Sequence, residues 1–275
     1  LLGLFFVIGW AGLVLLGLST LAPNHFRLPA DLPINALLVV GSMILGVGAV
    51  INRGCFLGSV SQLSRGDSNY LMTLIGIAIA LRTIEFKAEG SLPAAARGTQ
   101  QVGGAGIAGA IALVAFTLLA TYSVRSFLKR RRATMLALIV VGLAGGTIYT
   151  LSPDWSYTSV LDRAVHGNFG GQIWYEESAA LLLFGGALLS SSLRHKFNLV
   201  RPSARAATAC LAGGFLMGAG AKFIPGGNDT LMLWSIPGLA VYGIVAYLIM
   251  IATIAGLTLL MSSGGIWRTT GAITK

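Results

Sequence analysis

The sequence predicts an all-α polytopic membrane protein: about eight transmembrane helices, two short re-entrant or broken helices, and an inverted-topology repeat. Three observations carry this reading. Of 275 residues, 55% are hydrophobic and only 10% charged, and the mean hydropathy is +0.79. Soluble domains carry about a quarter charged residues, so a soluble globular fold is excluded. Several apolar runs approach the roughly 20 residues needed to cross a bilayer. Glycines also recur in register when the chain is shifted by 172 residues.

The first span covers 1–22. It lacks a basic leading region and more spans follow it, so it reads as a retained span rather than a cleaved signal. The chain opens at Leu1 rather than methionine, and residues upstream are expected. Further spans fall at 36–52, 70–84, 104–124, 134–151, 178–194, 206–223 and 240–262, and no Asp or Glu lies well inside any of them. The segments 55–65 and 228–236 are too short to cross. Each reads as a broken or re-entrant piece, which membrane depth tolerates only inside protein or beside a wet cavity. The expected organisation is a single transmembrane domain over 1–275, with repeat A over about 1–84, connecting spans over 104–151, and repeat B over about 173–262.

The net charge of +10 follows from basic loops on an anionic cytoplasmic leaflet, with no need for nucleic acid. The loop RSFLKRRR (125–132) carries five basic residues and no acid, and RHKFNLVRPSAR (194–205) carries four and no acid. The intervening loop, 152–177, holds Asp154, Asp162, Glu176 and Glu177 against one Arg163. The basic loops lie an even number of spans apart, so both fit the cytoplasm and both termini are expected there.

Under the 172-residue shift Gly41 falls on Gly213, Gly46 on Gly218, Gly48 on Gly220, Ala49 on Ala221, Gly54 on Gly226, Gly66 on Gly238 and Tyr70 on Tyr242. Small-xxx-small packing, as in GCFLG (54–58) and GFLMG (214–218), accounts for some glycines but not for a shared register. The copies start five spans apart, and an odd separation inverts one of them. In transporters such repeats place the binding site at the repeat interface near the midplane.

Each copy reads as helix, glycine break, short helix. The break exposes backbone N–H groups at a helix N-terminus, with about half a unit of positive charge. Two such ends make a path for an anion. Arg53, Arg65 and Lys222 add charge, although Arg53 and Arg65 also fit a plain interfacial role. Gly226, Gly227 and Asn228 form the second break. Asn228, Asp229 and Thr230 offer caps, and Asp229 is expected to cap or to pair with Lys222. Cys55 follows Gly54 at the start of the first short helix, where the helix end and Arg53 favour a thiolate; a small buried hydrophobe is the alternative. Cys210 in ATACLAG reads as packing. The two cysteines have neither disulfide-framework nor metal-ligand spacing, and no cofactor is expected.

GVGAVINRGCFLGSVSQLSRG and GGFLMGAGAKFIPGGNDTLML resemble the paired signature segments of the YeeE/YedE sulfur-transport family, which includes bacterial thiosulfate transporters. The resemblance implies an inverted-repeat fold with short helices meeting at a narrow waist, in the bacterial inner membrane. It implies that Cys55, at the position of the first motif's cysteine, contacts a sulfur substrate, and that a cytoplasmic sulfur-carrier protein is a partner. This chain departs from the family's thiosulfate transporters at Gly226-Gly227-Asn228, where those carry a further cysteine. The substrate therefore stays open among thiosulfate, sulfite, another sulfur oxyanion and a sulfane-sulfur species.

The expected function is transport of such a species, passed between helix N-termini and Cys55, with no enzymatic turnover. No GxxxxGK[ST] loop for ATP is present. The alternative is a membrane sensor or scaffold that binds a sulfur species and signals to a cytoplasmic regulator. A persulfide-transfer enzyme ranks below both. His25, His166 and His195 all fall in loops or at span ends, leaving Cys55 no evident acid–base partner and a haem no ligand.

Overall fold

Each of the eight apolar segments coincides with a helix. The computed structural model describes residues 2–22, 26, 28–29, 32–84, 99–100, 106–130, 133–153, 155–167, 174–224 and 226–263. Among these are α1 (Leu2–Leu21), α2 (Ala36–Asn52), α3 (Phe56–Ser64), α4 (Leu71–Thr83), α5 (Gly106–Arg130), α6 (Ala133–Leu151), α7 (Tyr157–Val165), α8 (Trp174–Leu193), α9 (Ala204–Phe223), α10 (Asn228–Thr230) and α11 (Val241–Ser263). A π-helical turn, Leu231–Ser235, continues α10, and a two-residue ladder pairs Leu28–Pro29 with Thr99–Gln100. Arg131, Arg132, Asp154 and His25 lie outside the described residues.

The protein is an all-α multi-pass membrane protein. Among the described residues, five stretches are long and apolar enough to cross a bilayer: Gly3–Leu21, Ala36–Ser64, Ala108–Leu128, Ala204–Phe223 and Val241–Ser262. Others are marginal: α4, at 13 residues, is about 20 Å long. Large apolar side chains cover the outer faces, among them Ile111, Val114 and Leu118 of α5, Leu181 and Leu182 of α8, and Leu259 and Leu260 of α11. Such surfaces suit lipid rather than water. Helix α8 starts four residues before the expected span because Glu176 and Glu177 fall in its first turn, where acids favour the helix N-terminus. Helix α7 was not expected. It lies in the acidic loop and is amphipathic rather than apolar.

The chain divides into two compact units, each drawing on both halves of the sequence. Unit 1 comprises Leu1–Ile34, Lys87–Ser159 and Asn228–Val245; unit 2 comprises Asn35–Phe86, Val160–Gly227 and Ala246–Lys275. In unit 1, α1 packs on α5 and α6, and the π turn lies against α1 and α6. Trp10 Nε1 donates to Ser123 Oγ at 2.9 Å, tying α1 to α5.

In unit 2, α9 lies against both α2 and α4. The approach of α2 and α9 is antiparallel and leaves no room for side chains. A Cβ on Gly48 would lie 2.8 Å from the Gly213 carbonyl, one on Gly213 2.7 Å from Asn52 Cβ, and one on Gly220 2.8 Å from the Gly41 carbonyl. The contacts are reciprocal at the 172-residue offset: 48 meets 213, and 220 meets 41. Helix bounds follow the same offset, with α1 at Leu2–Leu21 and α8 at Trp174–Leu193. Likewise α3 packs on α8 in unit 2, as the π turn packs on α1 in unit 1. The loop before α9 is pinned by hydrogen bonds from Asn198 N to the Arg65 carbonyl (2.8 Å), from Val200 N to that of Gly66 (2.9 Å), and from Ser203 N to Asn69 Oδ1 (3.0 Å).

Candidate functional site

The first break is a helix closure built on an unusual residue. Arg53 adopts the left-handed conformation (φ 59°, ψ 27°). Its N–H donates to the Val50 carbonyl at 3.1 Å, and that of Gly54 to the Ala49 carbonyl at 2.9 Å. This is the Schellman pattern, whose left-handed position usually belongs to glycine. An arginine there costs of order 1 kcal/mol, a form of strain that clusters at functional sites. Cys55 then takes an extended conformation as N-cap of α3, and its side chain makes no capping hydrogen bond. The thiol is half-buried. A Cβ on Gly58 would stand 3.9 Å from Cys55 Sγ, and one on Gly54 would meet nothing nearer than Gly58 at 3.8 Å. Glycine at 54 is therefore not required by close backbone approach, unlike the glycines between α2 and α9.

A buried polar network fixes this break. Asn52 is 1% exposed. Its Nδ2 donates to the Gly54 carbonyl at 2.8 Å and to Ser59 Oγ at 2.7 Å, and its Oδ1 accepts from Thr73 Oγ1 at 2.6 Å. Ser59 Oγ in turn donates to the Cys55 carbonyl at 3.1 Å. Because Asn52 packs on Gly213, the tenth residue of α9, the break lies half-way along α9.

The second break follows α9. Gly226 (φ 95°) and Gly227 (φ 122°) both have positive φ, where glycine alone is at ease. Lys222, near the end of α9, donates to Asp162 Oδ1 of α7 at 2.9 Å. The expected pairing of Asp229 with Lys222 is thus corrected. Asp229 is 3% exposed in unit 1; its Oδ2 accepts from Tyr149 OH at 3.0 Å and from the N–H of Tyr157, the first residue of α7, at 3.3 Å. The acidic loop supplies Lys222 with a partner, and α6 and α7 supply Asp229 with donors. Asn228 opens α10, its Oδ1 buried with no hydrogen-bond partner among the described residues.

Arg53, Gly54 and Cys55 are thus consecutive at one end of the α2–α9 contact; Lys222 lies at its other end, in the last turn of α9, and Gly226 and Gly227 follow. Asn52 against Gly213 and Gly41 against Phe223 set the two ends ten residues of α9 apart, about 15 Å. Arg53 and Arg65 are both exposed. A family model described as sulphur transport matches residues 1–256. The chain belongs to the YeeE/YedE sulphur transport family. No curated protein matches it. As a member of a sulphur transport family it is a multi-pass protein for moving sulfur compounds. Sequence reasoning about the site missed Asn52, Ser59 and Thr73. An asparagine closing an apolar span was the available signal, since a polar side chain at that depth needs partners. Cys210, read as packing, is buried on α9, the helix whose Gly213 and Gly214 meet Asn52 and Thr73 of that network.

Proposed function

We propose that the protein carries thiosulfate or a related sulfur-containing anion or sulfane-sulfur species across the bacterial inner membrane, passing it between helix N-termini and Cys55. The observation that carries this reading is the Cys55 thiol at the uncapped start of α3, half-way along α9, in a chain of a sulphur transport family. Sulfur is soft and polarisable and suits contact with a substrate's terminal sulfur, while first-turn N–H groups suit its anionic oxygens. Arg53, Gly54, Gly226, Gly227 and Asn228 line the path in this reading. Lys222 serves as half of an ion pair at its rim.

The reading takes 1–84 and 173–262 as two inverted copies within one transport domain of eight crossings. The matching helix bounds and the reciprocal, antiparallel glycine contacts support it. The basic loops support cytoplasmic termini, and a cytoplasmic sulfur-carrier protein is the proposed partner. The test is uptake of radiolabelled thiosulfate into liposomes containing the purified protein, with sulfite and sulfate as competitors. Saturable uptake blocked by a maleimide, and protected by substrate, is expected. Tight binding without flux would replace transport by sensing.

A further inference from the structure

Asp229 is the one fully buried carboxylate in unit 1 among the described residues, and the transport reading gives it no task. Tyr149 of α6 and the N–H of Tyr157 donate to its Oδ2. Thr230 Oγ1 lies 3.1 Å from Tyr149 OH. Trp155 stacks edge-on against both tyrosines, with ring centroids at 5.2 and 4.7 Å, and Trp234 stacks on Tyr149 at 6.4 Å. Helix α1, packed against the same π turn, has no titratable side chain. Among the described residues, no Lys, Arg or His is among the groups facing Asp229. Burial, with Asp229 beside it, pushes the Tyr157 phenol well above its usual range, so the phenol stays neutral.

A carboxylate without a cation in such a place costs several kcal/mol as the ion and little as the acid. Its position in the chain adds a second pressure. Asp229 directly follows Gly226, Gly227 and Asn228, the second break on the proposed anion path. A negative charge there repels an arriving anion, and an arriving anion favours the neutral acid. Substrate and proton must then strengthen each other's binding, by linkage. We propose that Asp229 is a proton-binding site through which anion movement is coupled to protons, an inference that rests on the transport reading above. The Asp229 carboxylate takes one proton from water on the substrate's side and becomes the neutral acid. It returns that proton to water on the other side as the anion leaves, so one proton travels with each anion. Tyr149 OH is placed to follow the change, since it lies between Asp229 Oδ2 and Thr230 Oγ1.

The experiment uses the full chain in liposomes, labelled thiosulfate as the probe, and a pH-sensitive dye on one side. For the wild type, a pH gradient acidic on the substrate's side should raise initial uptake at least five-fold over symmetric pH. Thiosulfate addition should also alkalinise that side. In Asp229→Asn the ratio of uptake with and without the gradient should fall to about one, and Tyr149→Phe, which removes a donor to the ionised form, should shift the pH dependence of uptake to higher pH. If Asp229→Asn does not reconstitute, the wild-type proton flux and Tyr149→Phe still decide. Wild-type uptake that ignores the gradient and moves no protons overturns the proposal, as does an Asp229→Asn variant that still follows the gradient. No thiosulfate uptake by the wild type under any gradient overturns the transport reading, and the coupling with it.

Discussion

At Cys55 a polarisable atom stands at a helix N-terminus without a hydrogen bond of its own to that helix. If it contacts substrate, Cys55→Ala should lower thiosulfate uptake at least ten-fold, and Cys55→Ser should retain part of it. Cys210→Ala should stay within about two-fold of wild type, because its thiol is buried in the packing of α9 and not at a break. Normal uptake by Cys55→Ala would reduce the thiol to packing. Thr73→Val leaves Asn52 Oδ1 buried without its donor and should cost about 1–3 kcal/mol, seen as a lower midpoint of thermal unfolding in detergent. Gly54 and Gly226 share a place in the 172-residue register but not a reason for being glycine. Gly226 needs its positive φ, whereas Gly54 has an unremarkable φ and open space. Gly226→Ala should therefore impair folding and uptake more than Gly54→Ala; equal effects would mean that the two positions are held by something other than local geometry.

At the scale of elements, the helices were legible because apolar runs of bilayer length have few alternatives. The break before α3 was legible from glycine and cysteine after a span, but its fastening was not, because Asn52 finds Thr73 21 residues later. The partner of Lys222 lay 60 residues away on α7. That helix hid in a polar loop whose amphipathic pattern does not stand out beside apolar spans. The closure at Arg53 offers its own test. Arg53→Gly removes the left-handed strain and should raise thermal stability by up to about 1 kcal/mol. If the guanidinium attracts the anion, the same variant should transport more slowly. A variant both less stable and fully active would show that the conformation is not strained and the charge not used.

For the whole molecule, the proposed orientation rests on loop charge. Ser156 is buried at 2% exposure, which makes it a poor reporter, whereas His166 and Arg125 are exposed. In a background lacking Cys55 and Cys210, an impermeant thiol reagent added to intact cells should label His166→Cys and spare Arg125→Cys. The reverse pattern would turn the protein over in the membrane. The division into two units was not legible at all. Each draws on both halves of the sequence, and no local pattern announces which distant helix will be a neighbour.

The glycine contact between α2 and α9 also bears on biosynthesis. About 150 residues separate the end of α2 from the start of α9, and a ribosome adds roughly 5–20 residues each second. Helix α2 therefore enters the membrane on the order of ten seconds before its partner exists. During that interval its grooved glycine face meets only acyl chains or the insertion machinery. Asn52 is spared the same wait, since Ser59 and Thr73 arrive almost at once. The polar fastening can thus close early and locally, while the α2–α9 seam must form late, between segments already in lipid.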